Sequence, residues 1–117
     1  MPFCDITTSY VFKSPEDKEA FVKAISKEVA RIARKPETYV MVAVKDDVTM
    51  CMAGSTSNPI AFIRYSSLGG ISPSSNKALS EALTSVISSH CGVQPCNVYA
   101  NFTNMEPSNW GYNGGTF

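Results

Sequence analysis

Residues 14–36 read SPEDKEAFVKAISKEVARIARKP, and this stretch decides the fold. Ser14 offers a side-chain oxygen to uncovered amides, and Pro15 suits a first helical position. Glu16 and Asp17 then fall at the positive end of the helix dipole. Phe21, Val22, Ile25, Val29 and Ile32 recur at helical spacing, whereas Lys18, Lys23, Lys27 and Glu28 fall largely off that stripe. The segment is therefore an amphipathic helix. Arg31, Arg34 and Lys35 place cations in its last turn, and Pro36 prevents continuation.

The second half of the chain repeats the plan. Ser72-Pro73 opens a segment with Leu79, Leu83, Val86 and Ile87 on one face, closing at Gly92. A slide of about 58 residues superposes Ser14-Pro15 on Ser72-Pro73, Phe21 on Leu79, Ile25 on Leu83 and Val29 on Ile87, a duplication signal. β-prone runs flank each helix, at Phe3 to Ser9 and Tyr39 to Val44 in the first half, and at Ile60 to Ser66 and Val98 to Thr103 in the second. Each half reads as β-α-β. The 117 residues make one domain with a pseudo-repeat at about 1–58 and 59–117. The expected fold is α/β (α+β), a four-stranded mixed sheet with two helices on one face. The run Tyr39 to Val44 is apolar on both alternating faces. Two helices cover only one side of such a sheet, so another copy of the chain is expected to cover the other.

Composition removes several classes of function. Ten acidic and ten basic residues leave no basic field for a phosphate backbone, so nucleic acid is not an expected partner. No apolar run reaches the roughly 18–20 residues that span a bilayer, so no membrane insertion is expected. The opening MPFCDITTSY lacks a basic segment followed by an apolar one, so the conventional export route is not expected and the localisation reads as cytoplasmic. Cys4, Cys51, Cys91 and Cys96 form no C-x-x-C pair, and His90 is the only histidine. Free thiols, no metal and no cofactor are expected.

Several segments, taken in order, carry a resemblance: Met1-Pro2 at the start, K-P-E-T-Y after the first helix, S-S-L-G-G-I after the third strand, N-V-Y-A-N-F near the end, and the tail N-W-G-Y-N-G-G-T-F. Together they resemble the macrophage migration inhibitory factor and D-dopachrome tautomerase family over essentially the whole chain. The resemblance implies a homotrimer whose sheets line a central barrel. It also implies keto-enol tautomerism of phenylpyruvate-type and dopachrome-type substrates, and a cytokine role through a cell-surface receptor of a host or of the same organism. Release would then follow a non-classical route.

The resemblance assigns Pro2 as the catalytic base, its secondary amine freed when Met1 is trimmed; with Met1 attached, the Pro2 nitrogen is an amide and no base. A model α-amine titrates near 7.7–8.0, and apolar burial beside a cation lowers that value. Lys35, immediately before Pro36, matches the lysine that meets a substrate carboxylate. Tyr99 and Asn101, two apart on a strand, are implied to reach a neighbouring subunit's pocket. Leu68 is implied as an apolar wall. Phe3, Tyr39, Trp110, Tyr112 and Phe117 are candidate aromatic lining for a small aromatic 2-oxo acid. The chain departs from better-known members in two places. Trp110 replaces a smaller aliphatic residue, and Ile60-Ala61-Phe62-Ile63 stands where mammalian members carry C-x-x-C, so thiol redox activity is not expected. The alternative to an isomerase is a signalling ligand with a vestigial pocket.

Overall fold

A computed structural model describes all 117 residues. Strand β1 (Phe3–Thr8) leads to helix α1 (Pro15–Ala33) and strand β2 (Met41–Lys45). Strand β3 (Ala61–Ser67), helix α2 (Pro73–Cys91) and strand β4 (Val98–Asn104) repeat that order. A short hairpin of β5 (Gly111–Tyr112) and β6 (Gly115–Thr116) closes the chain. The sheet order is β2-β1-β3-β4. Strands β1 and β3 meet antiparallel at the centre, and each is paired in parallel with the strand that follows its own helix. The mixed sheet with two helices is the architecture expected from the sequence.

The helix signals act as their chemistry requires. The Ser14 hydroxyl accepts the Asp17 N–H at 3.1 Å, with Pro15 at the first helical position. At α2 the Ser72 hydroxyl accepts the Ser75 N–H at 3.2 Å, while the Ser75 hydroxyl accepts the Ser72 N–H at 3.1 Å. Serine thus fills the position that Glu or Gln usually takes in this reciprocal box. Gly92 ends α2 in the left-handed region at φ 66°, where a glycine has no Cβ to clash. Arg34 ends α1 in the same region at φ 54°. Lys35 therefore lies just beyond the helix, its N–H donating to the Ala30 carbonyl at 3.3 Å.

Both helices pack on one face. Phe21, Ile25 and Val29 of α1 and Leu79, Leu83 and Ile87 of α2 bury against Cys4 and Ile6 of β1 and Ala61, Ile63 and Tyr65 of β3. Alternate residues face away from the helices. On that open side the rows run Met41, Phe3, Ser66, Thr103; then Ala43, Asp5, Arg64, Asn101; then Lys45, Thr7, Phe62, Tyr99. Met41 and Tyr99 are each 66% exposed there. The strand expected from Tyr39 begins instead at Met41, because Pro36 and residues Glu37–Tyr39 close a single 3-10 turn in which the Val40 N–H reaches the Glu37 carbonyl. The open face is mixed in polarity rather than continuously apolar, and within β2 only Val42 and Val44 pack against the core.

Candidate active site

Pro2 directly precedes β1 and is buried. Its carbonyl accepts the Met41 N–H at 3.1 Å, which extends the parallel β1–β2 pairing to the chain's first residues and fixes their place. A cleft of about 360 Å³ opens against it. Met1, Pro2 and Phe3 form one wall, Thr38 to Met41 a second, and Trp110 to Tyr112 a third. Seven of its ten lining residues are hydrophobic, a setting that disfavours charge on any group lacking a partner.

The amine at the chain start shows this effect. Burial, and after it the charge of Lys35, lower the Met1 ammonium below the ordinary α-amine value. Lys35 is exposed and lies outside the cleft wall, yet its charge is felt at the terminus. The neighbouring thiol behaves oppositely. Burial first, and Asp5 second, push Cys4 up to about 12, so it carries no thiolate at neutral pH. Burial likewise raises Cys91 to about 11, whereas Cys51 and Cys96 are exposed.

The aromatic candidates divide. Phe3, Tyr39, Trp110 and Tyr112 line the cleft. Phe117 does not: it lies 6.2 Å from Tyr112, nearly parallel to it, and Tyr112 meets Tyr39 edge-on at 6.2 Å. Phe117 therefore buttresses a lining residue instead of forming the wall. The hairpin that carries these rings turns at Asn113-Gly114, both in the left-handed region, as a tight two-residue turn requires.

Two other candidates, Tyr99 and Asn101, lie apart from Pro2 within the protomer, and a third, Leu68, lies near it. Tyr99 pairs with Phe62, which pairs with Thr7, so Tyr99 is two strands across and five residues along from Pro2. That separation is roughly 15–20 Å. Asn101 is exposed on the same open face, level with Arg64 and Asp5. Tyr99 instead borders a second, largely apolar hollow of about 250 Å³ with Met50, Cys51, Met52, Ile60, Ala61 and Phe62. Leu68 follows β3 directly. The β1–β3 register, continued past Phe3–Ser66, sets it at the same end of the sheet as Pro2, half-buried and outside the cleft wall. His90 packs edge-on against the Phe21 ring at 5.7 Å, away from the cleft.

The fold, two β-α-β units sharing one sheet with an apolar cleft at the amino end, is that of the tautomerase superfamily. The macrophage migration inhibitory factor family model matches residues 1–117. The rat macrophage migration inhibitory factor is 33% identical over 99 residues, 85% of each chain. The homologue from Trichinella spiralis is 32% identical over the full length of both chains. The structure of the Toxoplasma gondii factor superposes with a TM-score of 0.91 at 36% identity, covering 98% of this chain and 99% of that one. The chain belongs to the macrophage migration inhibitory factor family.

Proposed function

We propose that the chain is a keto-enol tautomerase acting on small aromatic 2-oxo acids and dopachrome-type substrates, with Pro2 as the base. The observation that carries this reading is the burial of Pro2 against an apolar cleft, where the same two influences that lower the Met1 ammonium would act on a Pro2 amine. Removing Met1 converts an amide into a secondary amine at that place, and the Pro2 carbonyl keeps its hydrogen bond to Met41. A neutral amine within reach of a carbon acid removes the proton alpha to the carbonyl and returns it at the other end of the enolate. Lys35 supplies the cation that draws the substrate carboxylate and favours the neutral amine.

Tyr99 and Asn101 belong to the same site only if an adjacent copy presents them, so the reading includes a homotrimer whose clefts lie between protomers. The exposed polar and aromatic rows of the open sheet face are then the surface that faces other copies. Leu68 borders the site from its own protomer, at the end of the sheet where Pro2 lies. Residues 1–117 act as one unit, with halves meeting near Asn58 and Pro59. The protein works in the cytoplasm and leaves the cell by a non-classical route.

The test uses a chain whose mass shows Met1 removed, with enol conversion followed by ultraviolet absorbance. Pro2→Gly lowers turnover by about a hundredfold or more. The native rate rises with pH through the depressed amine value and then levels. Lys35→Ala moves that inflection to higher pH, because loss of a cation favours the protonated amine. Undiminished turnover in Pro2→Gly rejects the mechanism. Membership of a cytokine family supports a second role, binding of a cell-surface receptor. That binding survives Pro2→Gly if it depends on the outer surface.

A further inference from the structure

We infer that Trp110 is a specificity-determining residue, selecting substrates whose aromatic ring carries an oxygen over those with a bare phenyl ring; this rests on the tautomerase reading of the same cleft. Trp110 is the only tryptophan of the chain and forms part of the cleft wall. Its backbone is fixed on both sides. The 3-10 turn Pro107–Asn109 ends with the Trp110 N–H donating to the Pro107 carbonyl at 3.2 Å, and β5 starts at the next residue. The side chain is half-buried, and its ring stacks on no other aromatic, unlike those of Tyr39, Tyr112 and Phe117. The indole N–H takes part in none of the side-chain hydrogen bonds, and it is absent from the buried atoms that lack a partner. Trp110 thus brings to a largely hydrophobic cleft wall an indole N–H that pairs with no group of the chain and is open to water.

In this assignment the N–H faces the cleft, and a ligand that fills the cleft strips that water away. Indole N–H groups are ordinarily paired when buried, and a donor left without an acceptor in an apolar site carries a desolvation penalty. A bare phenyl ring offers no acceptor. A ring hydroxyl or quinone oxygen can accept from the N–H, so the penalty at this donor falls on the unsubstituted substrate. Sites built around a polar partner discriminate in this way, whereas purely apolar walls separate such near-isosteres weakly.

The experiment compares 4-hydroxyphenylpyruvate with phenylpyruvate in the native chain and in Trp110→Phe, both with Met1 removed. In the native enzyme kcat/KM favours the hydroxylated substrate by about tenfold. Trp110→Phe keeps a ring but removes the donor. Its kcat/KM falls for 4-hydroxyphenylpyruvate and rises for phenylpyruvate, bringing the ratio close to one. A purely structural wall would lower both together, and that result, or an unchanged ratio, overturns the assignment. A second measurement needs no turnover. Selective excitation of the single indole follows binding of each acid to the native chain, with half-saturation about tenfold lower for the hydroxylated one. Equal half-saturation overturns the Trp110 contact even if the chain proves not to be a tautomerase, while absent turnover with a tenfold difference in binding rejects only the enzymatic reading.

Discussion

At the scale of single residues, Asp46 shows how a side chain invisible to motif reading can hold a fold together. One carboxylate oxygen receives Lys18 Nζ at 2.7 Å, and the other receives the Phe12 N–H at 3.0 Å, joining the β1–α1 connection and α1 to the residue that follows β2. The Lys18 hydrogen bond foremost, and the Phe12 amide next, hold the Asp46 carboxyl below the usual carboxylate range. Because the folded-state value is the lower one, the stabilisation is present above the unfolded carboxyl value near 3.9. It is lost as pH falls through the folded value. Lys18 is 41% exposed, so solvent screens its share and the amide bond is the steadier part. Asp46→Asn is expected to lower unfolding free energy by about 1 kcal/mol at neutral pH. Its denaturation midpoint should also vary less between neutral pH and acid than that of the native chain, and equal pH slopes would remove Asp46 from the account. Nothing near Asp46 in sequence announces this role, because its partners lie 34 and 28 residues away. Pro2 and Lys35, by contrast, were legible through the order of whole segments, which is why their roles came from resemblance and not from spacing.

At the scale of elements, the helices were readable almost to the residue. Ser14-Pro15 and Ser72-Pro73 each couple an oxygen acceptor to a fixed φ, and the apolar spacing behind them has only one helical face to bury. The starting cap of α2 is the more elaborate, since the Ser75 hydroxyl also donates to the Gly70 carbonyl at 2.7 Å and ties the preceding glycine turn to the helix. Ser72→Ala should reduce stability by about 1 kcal/mol in denaturant unfolding, with Ser72→Asp retaining most of it. A loss no larger than for Ser74→Ala would show that the box contributes nothing of its own. Strand β2 starts two residues later than its sequence pattern predicts, because Tyr39 and Val40 are apolar and β-prone, while the 3-10 turn that takes Tyr39 out of the strand depends on Pro36. The final hairpin escaped periodicity altogether. Its strands are two residues each, too short for alternation, and only Asn113-Gly114 signals the turn. That hairpin is what delivers Trp110 and Tyr112 to the cleft wall, so the aromatic part of the site was legible as composition but not as placement.

At the scale of the whole molecule, the distance between Pro2 and Tyr99 poses a question that a mixing experiment answers. Pro2→Gly removes the base from its own cleft, and Tyr99→Ala removes a group offered to a neighbour's. If each cleft draws on two protomers, trimers refolded from an equal mixture contain intact clefts wherever a Tyr99→Ala chain contributes Pro2 and a Pro2→Gly chain contributes Tyr99. Random assembly makes that about one cleft in four. Mixed trimers should therefore regain about a quarter of the native turnover, while each variant alone stays low. Activity no greater than the mean of the two variants would place both residues in one chain or remove Tyr99 from the site.

The strand order also governs how the protein behaves in the tube. Strands β2 and β4 form the two margins of the sheet, each with an unpaired row of amides and carbonyls along its outer side. Lysine, proline and inward charges are the usual guards against stray strand pairing, and β2 carries Lys45. Strand β4 reads VYANFTN and has no guard at all. A margin left without such guards invites another strand to pair with it, so in the trimeric reading proposed above a neighbouring copy would cover this seam, and dilution that separates the copies would lay it bare.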